Sequence, residues 1–209
     1  MDYMNKKFAF SLSEVLVTMS IIGVISALTV PTLINSYQRK AYSVQLRKTV
    51  NDIVNAVDML ITEEGKSKFS ATTEYANLDT FVTNRLKTIK TCASTETSAC
   101  FANTAYGTIG GGNSAAFACA GNSYVLASSA AICLTKDGSA VKVNVDINGN
   151  EGPNIGGRDM FELYITADGE AADCPSGNCE DPSTATCTSS ALGTDCYGVL
   201  SEANWQMNY

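Results

Sequence analysis

The first 65 residues contain two hydrophobic patterns in succession. No charged residue occurs from 15 to 34, and twenty apolar or small residues are enough to span a bilayer as a helix. Farther along, apolar residues recur at steps of three and four on a polar background, at Leu46, Val50, Ile53, Val57 and Leu60. This spacing predicts an amphipathic helix, and Gly65 is a suitable residue to end it.

The second half of the chain shows strand periodicity. Valine and isoleucine alternate with polar residues over 141–147, and apolar residues alternate again over 161–165. The Asp137-Gly138 pair before the first of these segments is typical of a tight hairpin turn. We therefore expect an antiparallel sheet of three or four strands, laid on the apolar stripe of the long helix.

A further helix is expected over 73–89, where apolar residues fall on one side. The predicted fold class is thus α+β. A long N-terminal helix, half transmembrane and half amphipathic, packs on a small antiparallel β-sheet, and a disulfide-rich C-terminal region follows.

The eight cysteines all follow the helical region and lie in a polar, loop-rich part of the chain. An even number in this setting indicates disulfides formed in an oxidising compartment. Zinc is the less favoured alternative, because no Cys-x-x-Cys pair is present. Loop length alone favours the pairs Cys92–Cys100, Cys119–Cys133, Cys174–Cys179 and Cys187–Cys196.

Composition narrows the function classes. The net charge of -7 argues against a nucleic-acid partner, because phosphate binding needs clustered lysine and arginine. The chain has no histidine, which removes the commonest general base and most catalytic zinc sites. We expect no enzymatic activity and no cofactor.

Calcium is one alternative to that expectation. Asp146, Asn148 and Asn150 stand at alternate positions with Asp159 beyond them, and such oxygen ligands are typical of calcium loops. The spacing departs from an EF-hand, and Asn, Asp, Gly and Pro also build tight turns without an ion. A structural turn is the favoured interpretation, and a calcium site is the alternative.

The most informative residue is Glu14, a carboxylate at the start of the apolar run. A plain membrane anchor has no use for an acidic residue, whose burial in lipid is costly. A cleaved secretory signal peptide is disfavoured, because its apolar core would be shorter and would end at a small-residue cleavage site. Lys6 and Lys7 before the run predict a cytoplasmic N-terminus and an extracytoplasmic remainder.

The segment KKFAFSLSEVL, with Pro31 near the end of the apolar run, resembles the prepilin signature of type IV pilins and type II secretion pseudopilins. The resemblance implies cleavage between Ala9 and Phe10 by a membrane peptidase and methylation of the new Phe10 amine. Glu14 and Pro31 then become the fifth and twenty-second residues, as in that family. The residue before the cut is usually glycine, and here it is Ala9.

The resemblance also implies an organisation and a function. It predicts a leader at 1–9, a transmembrane and polymerisation helix at 10–34, its amphipathic continuation at 35–64 and a head at 65–209. Pro31 is expected to kink the helix. Glu14 is expected to pair with the amine of a neighbouring subunit.

The expected function is that of a structural subunit of a type IV pilus-like filament, held in the bacterial inner membrane until assembly. Its expected partners are the prepilin peptidase, like subunits and the inner-membrane assembly platform. Two alternatives stay open: a type II secretion pseudopilin, and a tethered extracytoplasmic binding protein that does not polymerise.

Overall fold

The computed structural model describes residues 10–112 and 114–209, in two compact units that divide after Gln38. Helix α1, Leu12–Glu64, begins in the first unit and ends in the second. The predicted leader, residues 1–9, lies outside the described residues, and with it Ala9 of the predicted cleavage site.

In the first unit, the apolar side chains of α1 are exposed. Among the described residues, α1 is the one helix that is long and apolar enough to cross a membrane, and its apolar window is unburied. Pro31 lies inside α1, which continues as α-helix on both sides of it. These features agree with a segment whose surroundings are lipid or other helices rather than a protein core.

In the second unit, α1 buries one side. The five apolar residues that define the predicted stripe, Leu46 to Leu60, are all at most 2% exposed. The helix ends at a left-handed Gly65 (φ 60°), where the Gly65 and Lys66 amides donate to Thr62 and Ile61. This is a Schellman ending, which satisfies the last carbonyls of the helix. The predicted amphipathic helix is confirmed.

The central sheet is fully antiparallel and has six strands in the order β1-β4-β5-β6-β7-β8. The sequence predicted only three or four strands. It missed the others because the strands toward the edges of the sheet are short or lack an alternating pattern. The strands are β1 (Thr88–Cys92), β4 (Ser123–Leu126), β5 (Ala131–Asp137), β6 (Ala140–Asp146), β7 (Met160–Ile165) and β8 (Ala171–Ala172). A separate two-stranded ladder joins β2 (Tyr106–Gly107) to β3 (Ser114–Ala115).

The helix predicted over 73–89 is only partly present. Helix α2 spans Leu78–Arg85, and Asn77 caps it by accepting from the amides of Asp79 and Thr80 at 3.1 and 3.4 Å. The chain then becomes extended and enters β1, where Ile89 is 68% exposed. Pairing with β4 satisfies the backbone of this segment, and this tertiary contact overrides its helical periodicity.

The sheet is buried on both faces near β5. Ile132 and Leu134 join the main core with the α1 stripe and with the valines of β6. Ala131 and Cys133, which point the other way, join a second core that contains Phe101, Tyr106 and two disulfides. Helices α3 (Thr184–Ser189) and α4 (Cys196–Glu202) complete the second unit.

Candidate functional site

The N-terminus of α1 is closed by a pair of reciprocal hydrogen bonds. The Ser11 amide donates to Glu14 Oε2 at 2.8 Å, and the Glu14 amide donates to Ser11 Oγ at 3.3 Å. The Ser11 hydroxyl also donates to Glu14 Oε2 at 3.0 Å. This is a capping box, with Ser11 as N-cap and Glu14 three positions later.

The capping box is a feature that the sequence analysis missed. Its signal was present, since Ser-x-x-Glu directly before an apolar run is the sequence signature of the motif. Glu14 is therefore already hydrogen-bonded within its own chain. Phe10, one residue before the cap, is 86% exposed and lies about one helical turn from Glu14.

The loop after β6 is organised by two buried carboxylates. Asp146, at the end of β6, accepts from the Tyr106 hydroxyl and from the Asn148 amide, the latter at 3.2 Å. Asp159, just before β7, accepts from the amides of Asn154 and Ile155, each at 2.7 Å. Each aspartate therefore fixes a turn at one end of the loop.

Burial dominates the electrostatics of this pair. Burial, with the nearby charge of Asp159, raises the pKa of Asp146 to about 8. Burial also raises the pKa of Asp159, although the Ile155 and Asn154 amides oppose that shift. Burial and the Asp146 carboxylate raise the pKa of Tyr106 as well.

The four residues considered for calcium do not share one environment. Asp146 and Asp159 are fully buried, Asn148 is partly exposed and Asn150 is exposed. Within residues 10–112 and 114–209, no group of three or more His, Cys, Asp or Glu side chains could hold a metal ion. The oxygens of both aspartates face N–H or O–H donors, which suits the favoured structural turn, and a calcium site stays the untested alternative.

Helix α1 and the C-terminal region hold this loop in place. The Gln45 side chain donates to the carbonyls of Ser128 and Ile147 at 2.8 and 3.0 Å. On the other side, Gly156 lies so close to Ser190 and Ala191 that a Cβ at this position would stand 2.1 Å from the Ser190 oxygen. The loop is therefore seated between α1 and the segment that joins α3 to α4.

All eight cysteines form disulfides, in the pairs that loop length favoured. Cys187–Cys196 is buried in the main core and links α3 to α4, whereas Cys179 of the Cys174–Cys179 bridge is exposed. The four loops they close span 5 to 14 residues, so each bridge stabilises a local segment.

Comparison with known proteins identifies the N-terminal segment. A family model described as the prokaryotic N-terminal methylation motif matches residues 4–30. No curated protein and no solved structure matches the chain. The matched range contains Phe10, Ser11 and Glu14 and most of the apolar run. Residues 4–30 therefore carry the prepilin-type cleavage and methylation segment that type IV pilins and pseudopilins share.

Proposed function

We propose that this protein is a structural subunit of a type IV pilus-like filament, inserted in the inner membrane and assembled after its leader is removed. The observation that carries the proposal is the methylation motif, with Glu14 at the start of an unburied apolar helix. Such a helix needs either lipid or neighbouring helices around it, and a filament core supplies the second.

The proposed role of Glu14 follows from its hydrogen bonds. Cleavage before Phe10 creates a cationic amine, which is poorly solvated in lipid. A carboxylate has about four acceptor sites, so Glu14 can keep its bonds to Ser11 and still accept from the amine of a neighbouring subunit. A misplaced subunit would leave one of these charges buried without a partner, at a cost of about 3–5 kcal/mol. The pair therefore sets the register between subunits.

The disulfide-rich head is our reason for proposing a displayed pilus rather than a secretion pseudopilus. It contains four disulfides, two of them in a second core on the sheet face opposite α1. Disulfides persist outside the cytoplasm. A head that is stabilised by four disulfides suits a subunit that is exposed on the cell surface.

The first experiment is mass spectrometry of the mature protein from membranes and from sheared filaments. We expect a chain that begins with N-methylated Phe10. A chain that keeps its first nine residues would have no amine at Phe10, and the filament function would then be wrong.

The second experiment separates assembly from helix capping. We expect Glu14→Ala to insert in the membrane normally but to give few or no filaments by electron microscopy. Ser11→Ala is the matched control, because it removes a capping hydroxyl and keeps the carboxylate. Capping is worth only about 1 kcal/mol, so this control should still assemble.

Two outcomes would contradict the proposed role of Glu14. Normal filament yield in Glu14→Ala would show that the carboxylate is dispensable. An equal loss of filaments in both variants would show that Glu14 acts only as part of the cap.

A further inference from the structure

The charge-free run of α1 is followed by two adjacent basic residues, Arg39 and Lys40. No charged residue occurs from 15 to 38, and these 24 residues of helix rise about 36 Å. The hydrocarbon core of a bilayer is about 30 Å thick, so a helix that spans it brings residues 39 and 40 to the level of the lipid headgroups. Tyr37, just before them, is 73% exposed, and tyrosine is enriched at that level.

Basic residues are not the usual choice on this side of a span. Lysine and arginine are concentrated in cytoplasmic loops, and the predicted topology places Arg39 and Lys40 on the opposite side of the membrane. Both side chains are exposed, and neither forms an ion pair within residues 10–112 and 114–209. Their charges are therefore available to an anion outside the chain.

The loop after β6 brings a third basic residue to Arg39. Arg39 stands three residues before Tyr42 and seven before Leu46, so it lies on the side of α1 that faces the head. The Tyr42 hydroxyl accepts from the Asn148 side chain of this loop at 3.5 Å. Arg158 belongs to the same loop. Burial lowers the pKa of Arg158, and the nearby Arg39 charge lowers it further.

Arg158 is held in place without a carboxylate side chain. It donates to the Tyr209 main-chain oxygen at 2.8 Å, and its guanidinium lies 5.8 Å from the centre of the Tyr209 ring. Among the described residues, no aspartate or glutamate forms an ion pair with it, and its buried Nη1 has no hydrogen-bond partner. Arg158 therefore adds to the positive charge beside Arg39.

The acidic residues near this point do not cancel that charge. Burial raises the pKa of Tyr42, and three nearby acidic residues raise it further: Asp159, Asp146 and Glu151. The two aspartates are buried and hydrogen-bonded within the head, so Glu151 is the one exposed member of the three. The three basic residues outnumber it, and the local potential is positive.

We propose that Arg39, Lys40 and Arg158 form a headgroup site, which binds the phosphate of an anionic lipid in the outer leaflet of the inner membrane. A guanidinium suits phosphate because it can donate two parallel hydrogen bonds to two phosphate oxygens. Lys40 adds a flexible point charge. The inference rests on the proposed function, because it needs an inserted subunit with an extracytoplasmic head.

The position of the site selects a lipid over a free anion. Arg39 and Lys40 directly follow the span, so the membrane holds headgroups beside them at high effective concentration. A free phosphate ion would lose its translational freedom on binding, and a few exposed charges offset that loss poorly. A subunit that enters a filament leaves the bilayer, so the headgroup contact belongs to the membrane-held state.

The test is native mass spectrometry of the protein purified from membranes, in detergent with equal amounts of phosphatidylglycerol and phosphatidylcholine. We expect phosphatidylglycerol adducts to predominate. Arg39→Gln with Lys40→Gln should lower the ratio of the two adducts about 25-fold, because each basic residue near an anionic surface contributes about fivefold. An unchanged ratio would overturn the headgroup site.

Two controls separate position from charge. Lys66→Gln with Lys87→Gln removes two exposed lysines that form no ion pair with a described residue, and it makes the same change in net charge. It should keep the native ratio. Arg39→Lys with Lys40→Arg keeps both charges and should keep most of the preference. An equal loss in both glutamine variants would mean that net charge, and not this site, selects the lipid.

Inorganic phosphate identifies the source of the bound phosphate. Excess inorganic phosphate should displace phosphatidylglycerol no more than sodium chloride of the same ionic strength does, because both only screen the site. Specific displacement by phosphate would mean that the site binds a free anion, and the lipid assignment would be wrong.

The outcomes also distinguish the headgroup site from the function on which it rests, because the measurement needs no filament. Native filaments from a protein that shows no preference for phosphatidylglycerol would overturn the site and leave the filament function intact. A preference that depends on Arg39 and Lys40, in a protein that forms no filament, would overturn the filament function alone.

Discussion

Replacing Gly156 by alanine tests the close contact between the loop after β6 and the segment that joins α3 to α4. The new Cβ would lie 2.1 Å from the Ser190 oxygen and 2.6 Å from the Ala191 carbonyl carbon. Both are backbone atoms, so neither can rotate away as a side chain would. Gly156 is not among the residues with positive φ, and the effect is therefore steric rather than conformational.

The structure gives a magnitude for this substitution. Overpacking costs about 1–3 kcal/mol, and a clash between two backbone segments belongs at the upper end of that range. Separating the segments would also strain the bond from the Gly156 amide to the Gly107 carbonyl, at 3.0 Å, which is worth about 1 kcal/mol. We expect a total of about 3–4 kcal/mol, which corresponds to about 10 °C in melting temperature for a protein of this size.

The assay is thermal unfolding of the full chain in detergent, with hydrogen exchange to localise the effect. Faster exchange should appear in the loop and near Ser190, while the amides of the α1 stripe stay protected. Gly107→Ala is the matched control, because it lies directly across the backbone bond and a Cβ there meets nothing within 4 Å. Equal melting temperatures for Gly156→Ala and Gly107→Ala would refute the proposed close approach.

Three further predictions concern the core, a buried carboxyl and a disulfide. Ile53→Ala removes a fully buried side chain from the stripe and should cost about 2–5 kcal/mol by denaturant unfolding, whereas the exposed Met59→Ala should cost less than about 0.5 kcal/mol. The raised pKa of Asp146, about 8, means that the folded state keeps a proton that the unfolded state has already released. The free energy of unfolding should therefore fall as pH rises from about 4 to 8. Asp146→Asn should reduce this pH dependence, measured by thermal unfolding across that range. An unchanged pH dependence in the variant would mean that other groups cause it. Removing the buried Cys187–Cys196 bridge by double serine substitution should cost about 2–5 kcal/mol and make α3 and α4 the first sites of proteolysis, and native protease resistance would contradict its structural role.

The sequence alone determined the features that depend on local patterns. The charge-free run and the spacing of Leu46 to Leu60 define one helix with two environments, because helical periodicity depends only on nearby residues. Asp137 and Gly138 place the β5–β6 hairpin, where Gly138 adopts a φ of 61°. Ser11 and Glu14 form a local motif too, and the capping box was within reach of sequence reasoning.

Only the tertiary structure decided the features that depend on distant residues. The segment that contains Ile89 carries a helical pattern, yet it is a strand because β4 offers it hydrogen-bond partners more than thirty residues away. The second core forms because alternate residues of β5 face a disulfide-linked layer, which strand periodicity cannot reveal. The close approach of Gly156 to Ser190 likewise brings together two loops that are distant in the sequence. Periodicity identifies which side of an element is buried, but the identity of what covers it depends on how the whole chain packs.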